Sequence, residues 1–310
     1  MIFGTTFSFV VKNFDNVVGT VNSDSITGDS QDNVFVGSGG SDLLDGNAGF
    51  DTADYEEIGT SITLNATGIL EKEGIGTDTL RGIEEIIGDS SFINTIDASF
   101  GNNSEISVNL EEETLEVVVF SPAVGPLNFT VENFDNVVGS SNNDFIVGSD
   151  SDTTFFGSGG NDIIDGFSTV TWSLLGNTVN YSDLDTSIVL GGSGEIVKEG
   201  LGTDTIDNIN TIIGSATQTN TIDGQLNAEG NAAFNIDLSA NELEVEIVDP
   251  TSVIFGETFD FRVENFNNVV GTDNSDDITG NIDNNVIFGS SGDDVIDGGD
   301  GFDTLHYGDR

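Results

Sequence analysis

Units of nine residues repeat in tandem along this chain, and this short period limits the possible folds more than any other feature. The first block reads GTVNSDSIT, GDSQDNVFV, GSGGSDLLD and GNAGFDTAD over residues 19–54. Another complete block reads GTDNSDDIT, GNIDNNVIF, GSSGDDVID and GGDGFDTLH over residues 271–306. Tandem short repeats are typical of solenoids, because each unit buries its apolar face only against its neighbours.

Each nonapeptide predicts one turn followed by one short strand. Glycine or asparagine at the first and fourth positions, such as Gly37 and Gly40 or Asn22 and Asn142, permits the positive φ and close backbone approach of a turn. The residues after the sixth-position aspartate form a strand with one inward apolar side chain. Two nonapeptides make one coil, so residues eighteen apart stack. The predicted inward residues are Ile26, Phe35, Leu44, Ile146, Phe155, Ile164, Ile278, Ile287 and Ile296.

A second, longer repeat organises the whole chain. VENFDNVVG at 131–139 recurs as VENFNNVVG at 263–271 and as VKNFDNVVG at 11–19. We therefore predict one continuous solenoid over residues 1–310, resembling a slice of a longer array. Its predicted parts are the tail of a preceding unit (1–10), repeat unit 1 (11–130), repeat unit 2 (131–262, with nonapeptides at 139–166 and an insertion at 167–180) and the start of repeat unit 3 (263–310).

The spacers between the nonapeptide blocks also repeat. KEGIGTDTL at 72–80 matches KEGLGTDTI at 198–206, and short β-branched runs alternate with Gly and Asp turns over 61–88. These patterns predict broader rungs of the same solenoid and no helix. The insertion contains Trp172, which we expect either to fold back on the solenoid as a lid or to contact a sugar or protein partner.

The charge of the chain requires bound cations. The sequence has 55 Asp and Glu against 6 Lys and Arg, a net charge of -49, yet 36% of its residues are hydrophobic, too many for a disordered chain. Two carboxylates about 4 Å apart repel by roughly 4 kcal/mol at an effective dielectric constant near 20. Six basic side chains cannot offset this repulsion. The composition therefore predicts divalent metal ions, and it argues against nucleic acid and anionic membranes as partners.

Several other classes of protein do not fit the sequence. It has no cysteine for disulfides or thiolate metal sites, and no apolar run near the roughly 20 residues that span a membrane. The segment MIFGTTFSFV lacks the basic region of a conventional signal peptide. His306 is the one histidine available as a base, and we expect it to be a surface residue. We therefore predict that the chain is not an enzyme and does not insert into membranes.

The nonapeptides resemble the calcium-binding β-roll of RTX (repeats-in-toxin, hemolysin-type) proteins. The spacers, with their GTDTL and IIG elements, resemble large cyanobacterial and proteobacterial surface proteins. The resemblance implies an all-β, right-handed parallel β-solenoid with β-roll rungs interspersed with wider β-helix-like rungs. It also implies Ca²⁺ as the bound ion, which suits oxygen ligands.

In this family, calcium lies between the sixth-position aspartate of one nonapeptide and that of the second one along, with turn carbonyls completing its oxygen shell. The resemblance implies three well-formed sites, at Asp24 with Asp42, Asp144 with Asp162, and Asp276 with Asp294. It implies two weaker sites on the opposite edge, at Asn33 with Asp51 and Asn285 with Asp303, and a lost site at Thr153. The turn glycines assigned to these sites are Gly37, Gly40, Gly157, Gly160, Gly289 and Gly292.

The predicted function is a calcium-folded structural or adhesive segment of an extracellular protein. The family resemblance, rather than any signal in these residues, implies export by type I secretion. The expected partners are calcium ions, a cell-surface polysaccharide or protein, and other copies through end-to-end or edge association. One alternative is an accessory module of a secreted carbohydrate-active enzyme or protease whose catalytic domain lies outside this chain. Another is a metal-independent β-helix for surface or ice contact, in which Asp, Asn and Gly are ordinary turn formers.

Overall fold

The computed structural model describes residues 14–100, 104–120, 126–167, 176–226, 232–252 and 256–307. These residues form short strands joined by turns, and they contain no helix. Accordingly, the described ranges hold no helix that could cross a membrane. The chain divides into two compact units, Met1–Asn94 with Phe129–Phe134, and Thr95–Asn128 with Asp135–Arg310. The predicted tail at 1–10 and Trp172 lie outside the described residues.

The first compact unit contains two sheets, with strand orders β1-β3-β5-β9-β13 and β2-β4-β8-β7-β6. Its strands are β1 (Asn16–Val18), β2 (Ser25–Thr27), β3 (Val34–Val36), β4 (Leu43–Asp45), β5 (Thr52–Asp54), β6 (Ile62–Asn65), β7 (Ile69–Lys72), β8 (Gly76–Arg81), β9 (Glu85–Ile87) and most of β13 (Leu127–Glu132).

The second compact unit also contains two sheets, with strand orders β12-β11-β15-β17-β21-β20-β19-β23-β27-β29-β31 and β10-β14-β16-β18-β22-β26-β25-β24-β28-β30. Its strands are β10 (Thr95–Asp97), β11 (Ser104–Asn109), β12 (Thr114–Val119), β14 (Asn136–Val138), β15 (Phe145–Val147), β16 (Thr154–Phe156), β17 (Ile163–Asp165), β18 (Thr178–Asn180), β19 (Ile188–Gly191), β20 (Glu195–Lys198), β21 (Gly202–Asp207), β22 (Thr211–Ile213), β23 (Thr221–Asp223), β24 (Ala232–Asp237), β25 (Glu242–Ile247), β26 (Thr258–Glu264), β27 (Asn268–Val270), β28 (Asp277–Thr279), β29 (Val286–Phe288), β30 (Val295–Asp297) and β31 (Thr304–His306).

The nonapeptide strands stack in parallel with the predicted register. Ser25 pairs with Leu43 and Phe145 pairs with Ile163, eighteen residues along in each case. Alternate strands enter alternate sheets, so one coil is two nonapeptides, as predicted. The chain is therefore an all-β solenoid built from parallel rungs.

The inward side chains of the nonapeptides form the core. Those buried are Phe35, Leu44, Ile146, Phe155, Ile164, Ile278 and Ile287. Each such side chain contributes about 1.5–3 kcal/mol when it is removed from water. Ile26 and Ile296, which lie in the first and last described rungs of their sheets, are half-buried. The predicted pattern of inward residues is thus confirmed, with weaker burial in these two rungs.

The spacers differ from simple broad rungs because they contain antiparallel strands. β6, β7 and β8 form an antiparallel meander, and β19, β20 and β21 form the matching meander in the second compact unit. Gly68 and Gly74, at φ of 81° and 73°, make its two tight turns in the first compact unit. Left-handed turn residues allow a strand to reverse within a few residues, so the chain pairs with itself before it returns to the parallel stack.

Candidate metal sites

The fourth-position glycines bring the turn of one coil against the turn of the coil before it. Gly40, Gly160 and Gly292 have φ values of 98°, 103° and 116°, a conformation that residues with a Cβ rarely adopt. A Cβ at Gly160 would lie 2.3 Å from the carbonyl oxygen of Asn142 in the preceding coil. At these three positions only glycine permits this approach, as predicted. Asn22 and Asn142, at the fourth position of other nonapeptides, do not have a positive φ, so that part of the prediction is wrong.

The first-position glycines have a different role from the predicted one. Gly37, Gly157 and Gly289 do not adopt a positive φ. A Cβ at Gly37 would lie 2.2 Å from the ring of Tyr55, and one at Gly157 would lie 2.0 Å from the ring of Tyr181. The prediction of left-handed backbone at these positions is wrong, because the absence of a side chain there makes room for a buried ring in the first two blocks.

Sixth-position aspartates that are eighteen residues apart lie next to each other and form what we call the aspartate row. In every pair, the backbone N–H of the earlier aspartate donates a hydrogen bond to Oδ1 of the later one. The N···O distances are 2.8 Å for Asp24 and Asp42, 3.0 Å for Asp144 and Asp162, and 3.1 Å for Asp276 and Asp294. The structure thus places together all three pairs that the sequence analysis singled out.

The earlier aspartate of a pair is also oriented by its own turn. Asp144 accepts hydrogen bonds from the backbone N–H of Ser140 at 2.7 Å and from the Ser140 hydroxyl at 2.8 Å. Asp276 accepts the same two bonds from Thr272, at 2.7 and 2.8 Å. Carboxylates that are buried and held by several donors are preorganised as ligands, because little side-chain freedom is lost on binding.

Burial raises the pKa of Asp144 to about 6, although hydrogen bonds from Ile106 and Ser140 lower it, and the Asp162 carboxylate raises it further. Burial also raises the pKa of Asp276. These shifts indicate that buried carboxylates in the row lack sufficient positive charge around them. A bound cation would act in the opposite direction and hold both carboxylates ionised.

The opposite edge carries the pairs that the sequence analysis predicted to be weaker. There too, the backbone N–H of the earlier residue donates to the side-chain oxygen of the later one. The distances are 2.8 Å for Asn33 and Asp51, 2.9 Å for Asn285 and Asp303, and 3.1 Å for Thr153 and Asn177. In the second block, Asn177 therefore takes the place that Asp51 has in the first. The strand Thr178–Asn180 then returns to the stack, although the predicted insertion covered 167–180.

Asp51 provides a direct test of whether a cation fits. Its side chain is fully buried, and Oδ2 has no hydrogen-bond partner. Burial raises the pKa of Asp51, the backbone N–H of Asn33 lowers it, and the carboxylates of Glu84, Asp32 and Asp29 raise it again. An orphaned carboxylate oxygen beside other carboxylates and turn carbonyls is a donor set that suits Ca²⁺, which takes 6–8 oxygen ligands.

Carboxylates alone do not complete these sites. Across the described ranges, no three His, Cys, Asp or Glu side chains are grouped so that they could hold a metal ion. Each ion would therefore be shared by a pair of side chains and the carbonyl oxygens of the stacked turns, as the resemblance implies. The close backbone contact made by Gly40, Gly160 and Gly292 brings those carbonyls together.

Two buried lysines lie at the ends of aspartate rows, and the sequence analysis did not identify them. In the first compact unit, the row continues to Asp78, whose Oδ1 accepts the N–H of Asp42 at 2.9 Å. Lys72 Nζ lies 2.6 Å from Asp78 Oδ1 and 3.4 Å from Asp42 Oδ2. It also donates to the carbonyl oxygen of Ser38 at 2.6 Å.

The second compact unit repeats this arrangement. Lys198 Nζ lies 2.5 Å from Asp204 Oδ1 and 3.0 Å from Asp162 Oδ2, and it donates to the carbonyl oxygen of Ser158 at 2.8 Å. The signal in the sequence was the recurrence of KEG followed by GTDT at the same place in both spacers. In a chain with so few basic residues, a lysine at equivalent places in two repeats indicates a structural role.

Comparison with known proteins identifies the nonapeptide blocks. A family model described as RTX calcium-binding nonapeptide repeat (4 copies) matches residues 18–53, 133–166 and 270–305. No curated protein matches the chain. The matched ranges contain the three pairs that the sequence analysis singled out, Asp24 with Asp42, Asp144 with Asp162 and Asp276 with Asp294, whereas Asp78 and Asp204 lie outside them.

Proposed function

The chain contains RTX calcium-binding repeats, and from this premise we propose that it is a calcium-folded structural or adhesive segment of an extracellular protein. The observation that carries the proposal is the row of Asp144, Asp162 and Asp204, whose side chains are all buried. Among the described residues, Lys198 pairs with Asp162 and Asp204 and no basic side chain pairs with Asp144, so three buried carboxylates share one ammonium group. Buried carboxylates in excess of the cations around them are strongly unfavourable, and calcium binding at the three blocks relieves this.

Calcium binding supplies free energy of folding in this scheme. The ligands come from turns eighteen residues apart, so the complete site exists only when two coils are stacked. An ion that binds only the folded chain stabilises it by about 2.7 kcal/mol per site at a free concentration 100 times its Kd. Several sites acting together would convert a self-repelling, weakly folded chain into a stable solenoid.

The calcium concentration outside cells favours folding of the chain after export. Extracellular calcium modules bind with Kd of about 10⁻⁴–10⁻³ M, which leaves them empty in the cytosol. With a net charge of -49, the calcium-free chain would repel itself and be only weakly folded until export. This supports the proposed extracellular location and an export route that carries unfolded chains.

The role we propose is structural rather than catalytic. RTX repeats are a structural calcium-binding module. His306, the candidate base, stacks its ring on Phe288 with 4.4 Å between ring centroids. The partner we propose, besides calcium, is a cell-surface polysaccharide or protein.

The test is a calcium titration of the purified chain, followed by circular dichroism and by isothermal titration calorimetry. We expect a cooperative gain of β-structure at millimolar calcium, reversed by chelator, and no comparable gain with Mg²⁺. Identical spectra in chelator and in calcium would overturn the proposal and favour a metal-independent β-helix.

A further inference from the structure

We propose that Lys72 and Lys198 are built-in cations, each taking the place of a calcium ion where an aspartate row passes from a nonapeptide block into a spacer. The inference rests on the proposed calcium binding within the blocks. It assigns a role to two of the six basic residues of the chain.

The contacts of the Lys72 ammonium group are those expected for a bound calcium ion. It touches one oxygen of each of two successive aspartates in the row, Asp42 and Asp78, and the carbonyl oxygen of Ser38 in the turn. The lysine side chain is 0% exposed. An ammonium group with three N–H donors can satisfy three such oxygens without a metal ion.

A tyrosine completes the site. The Tyr55 hydroxyl donates to Asp78 Oδ2 at 2.8 Å, while the Asp42 N–H and Lys72 both bond Oδ1. Both oxygens of Asp78 are thus occupied by protein donors, in contrast to Asp51, where one oxygen is orphaned. Asp78 therefore has no free oxygen directed at an external cation.

The same site occurs in the second compact unit, which argues against chance. The Tyr181 hydroxyl donates to Asp204 Oδ2 at 2.7 Å, and the Asp162 N–H donates to Asp204 Oδ1 at 3.0 Å. Lys198 then contacts both aspartates and the Ser158 carbonyl. The lysine, tyrosine, serine and two aspartates all have counterparts in the first compact unit.

In the spacers, a neutral asparagine side chain can satisfy turn carbonyl oxygens in place of a cation. Asn220 accepts the Ile188 N–H through Oδ1 at 3.0 Å, as the row aspartates do. Its Nδ2 donates to the carbonyl oxygens of Ser215 and Asn265 at 2.8 and 2.6 Å. The amide thus satisfies turn carbonyls that would otherwise need a cation, so the spacer rungs fold without metal and the calcium requirement is confined to the blocks.

The test uses the full chain with Lys72→Met and Lys198→Met, which keep most of the length of the side chain and remove its charge. Bound calcium is counted by equilibrium dialysis, and melting temperatures are measured in chelator and in saturating calcium. We expect each variant to bind one calcium ion more than the wild type. We also expect each to melt several degrees lower than the wild type in chelator and to recover most of that loss in calcium.

Two further variants make the result specific. Arg262→Met removes a charge from the exposed ion pair with Glu264 and should leave the calcium count unchanged. Lys72→Met combined with Asp78→Asn restores the net charge of the cluster and should return the count to the wild-type value. A Lys72→Met protein with the wild-type count and an equal melting loss in both conditions would overturn the inference. Absence of calcium binding by the wild type would instead refute the proposed function.

Discussion

The backbone N–H of Asp276 donates to Oδ1 of Asp294, eighteen residues further along the chain, over 3.1 Å. Asp276 is 2% exposed, and burial raises its pKa, with a smaller contribution from the neighbouring carboxylate of Asp294. One side chain therefore has two roles: it satisfies a backbone donor of the preceding coil, and it presents a second oxygen for a cation.

Asp294→Ala should reduce the calcium affinity of the third block about tenfold or more. The substitution removes a ligand and leaves the Asp276 N–H without its charged acceptor, a loss of about 1.5–3 kcal/mol. Calorimetric titration of the variant measures the effect. The matched control is Asp293→Ala, which removes the same charge from an adjacent exposed residue, and equal losses in both variants would contradict the assignment.

Gly160→Ala should destabilise the calcium-bound chain by about 2–4 kcal/mol, because a strained φ and a clash with backbone add together. The φ of 103° and the Asn142 oxygen at 2.3 Å from the added Cβ are the causes. Gly200→Ala is the control, since Gly200 has a φ of 75° but nothing within 4 Å of the added Cβ. Denaturant unfolding in saturating calcium should show the smaller loss for Gly200→Ala. Equal losses would show that the contact between coils is unimportant.

Acidification from pH 7 to pH 5 should stabilise the chain in the absence of calcium. The pKa of Asp144 is raised from 3.8 to about 6, so the folded state binds a proton more tightly than the unfolded state does. Stability therefore rises as pH falls through this window, by about 1 kcal/mol for this group. Burial raises the pKa of Asp276 and Asp51 in the same direction.

Thermal melts in chelator across this pH range measure the effect, and Asp144→Asn should flatten the profile. In calcium the trend should reverse, because protons compete with the ion for the same oxygens. Carboxyls with a lowered pKa, such as those of Asp89 and Asp185, affect stability only at lower pH, as they stay ionised through this window. A metal-free chain that loses stability between pH 7 and pH 5 would contradict the prediction.

Most of the parallel stack could be predicted from the sequence, because each nonapeptide carries its own turn, strand and inward residue. Phe35 and Phe155 are buried where the period placed them. The antiparallel meanders could not be predicted in the same way. Short runs such as Ile62–Asn65 and Ile69–Lys72 fit a parallel rung or a hairpin equally well, and the glycine turns decide between the two.

The aspartate pairs were also predictable, because residues eighteen apart must stack once the coil length is known. Lys72 and Lys198 were not, since they reach the row from a separate strand and their contacts with Asp42 and Asp162 span 30 and 36 residues. The unpaired, buried Oδ2 of Asp51 could not be predicted either. The burial of a single oxygen atom depends on the packing around it and not on the spacing of residues in the sequence.

Asp51 and Asn177 occupy equivalent positions in the first two blocks, but their side chains differ in whether protein groups satisfy their hydrogen bonds. Asn177 Nδ2 donates to the carbonyl oxygen of Gly166 at 2.7 Å. Asp51 has no such donor, and its Oδ2 would lie 2.5 Å from a Cβ added at Gly46, the counterpart of Gly166. The asparagine position is satisfied without metal, whereas the aspartate position is suited to a cation.

Asp51→Asn should therefore have opposite effects on metal-free stability and on calcium binding. In chelator it should stabilise the chain by about 1–3 kcal/mol, because an amide donor replaces an unpaired buried carboxylate oxygen. In saturating calcium the variant should bind one ion fewer than the wild type, since the charged ligand beside Asn33 is lost. Asp183→Asn, which removes an exposed charge, should change neither quantity. A variant that keeps the wild-type calcium count would show that the Asn33 edge holds no ion, and destabilisation in chelator would show that Asp51 is already satisfied as a carboxylate.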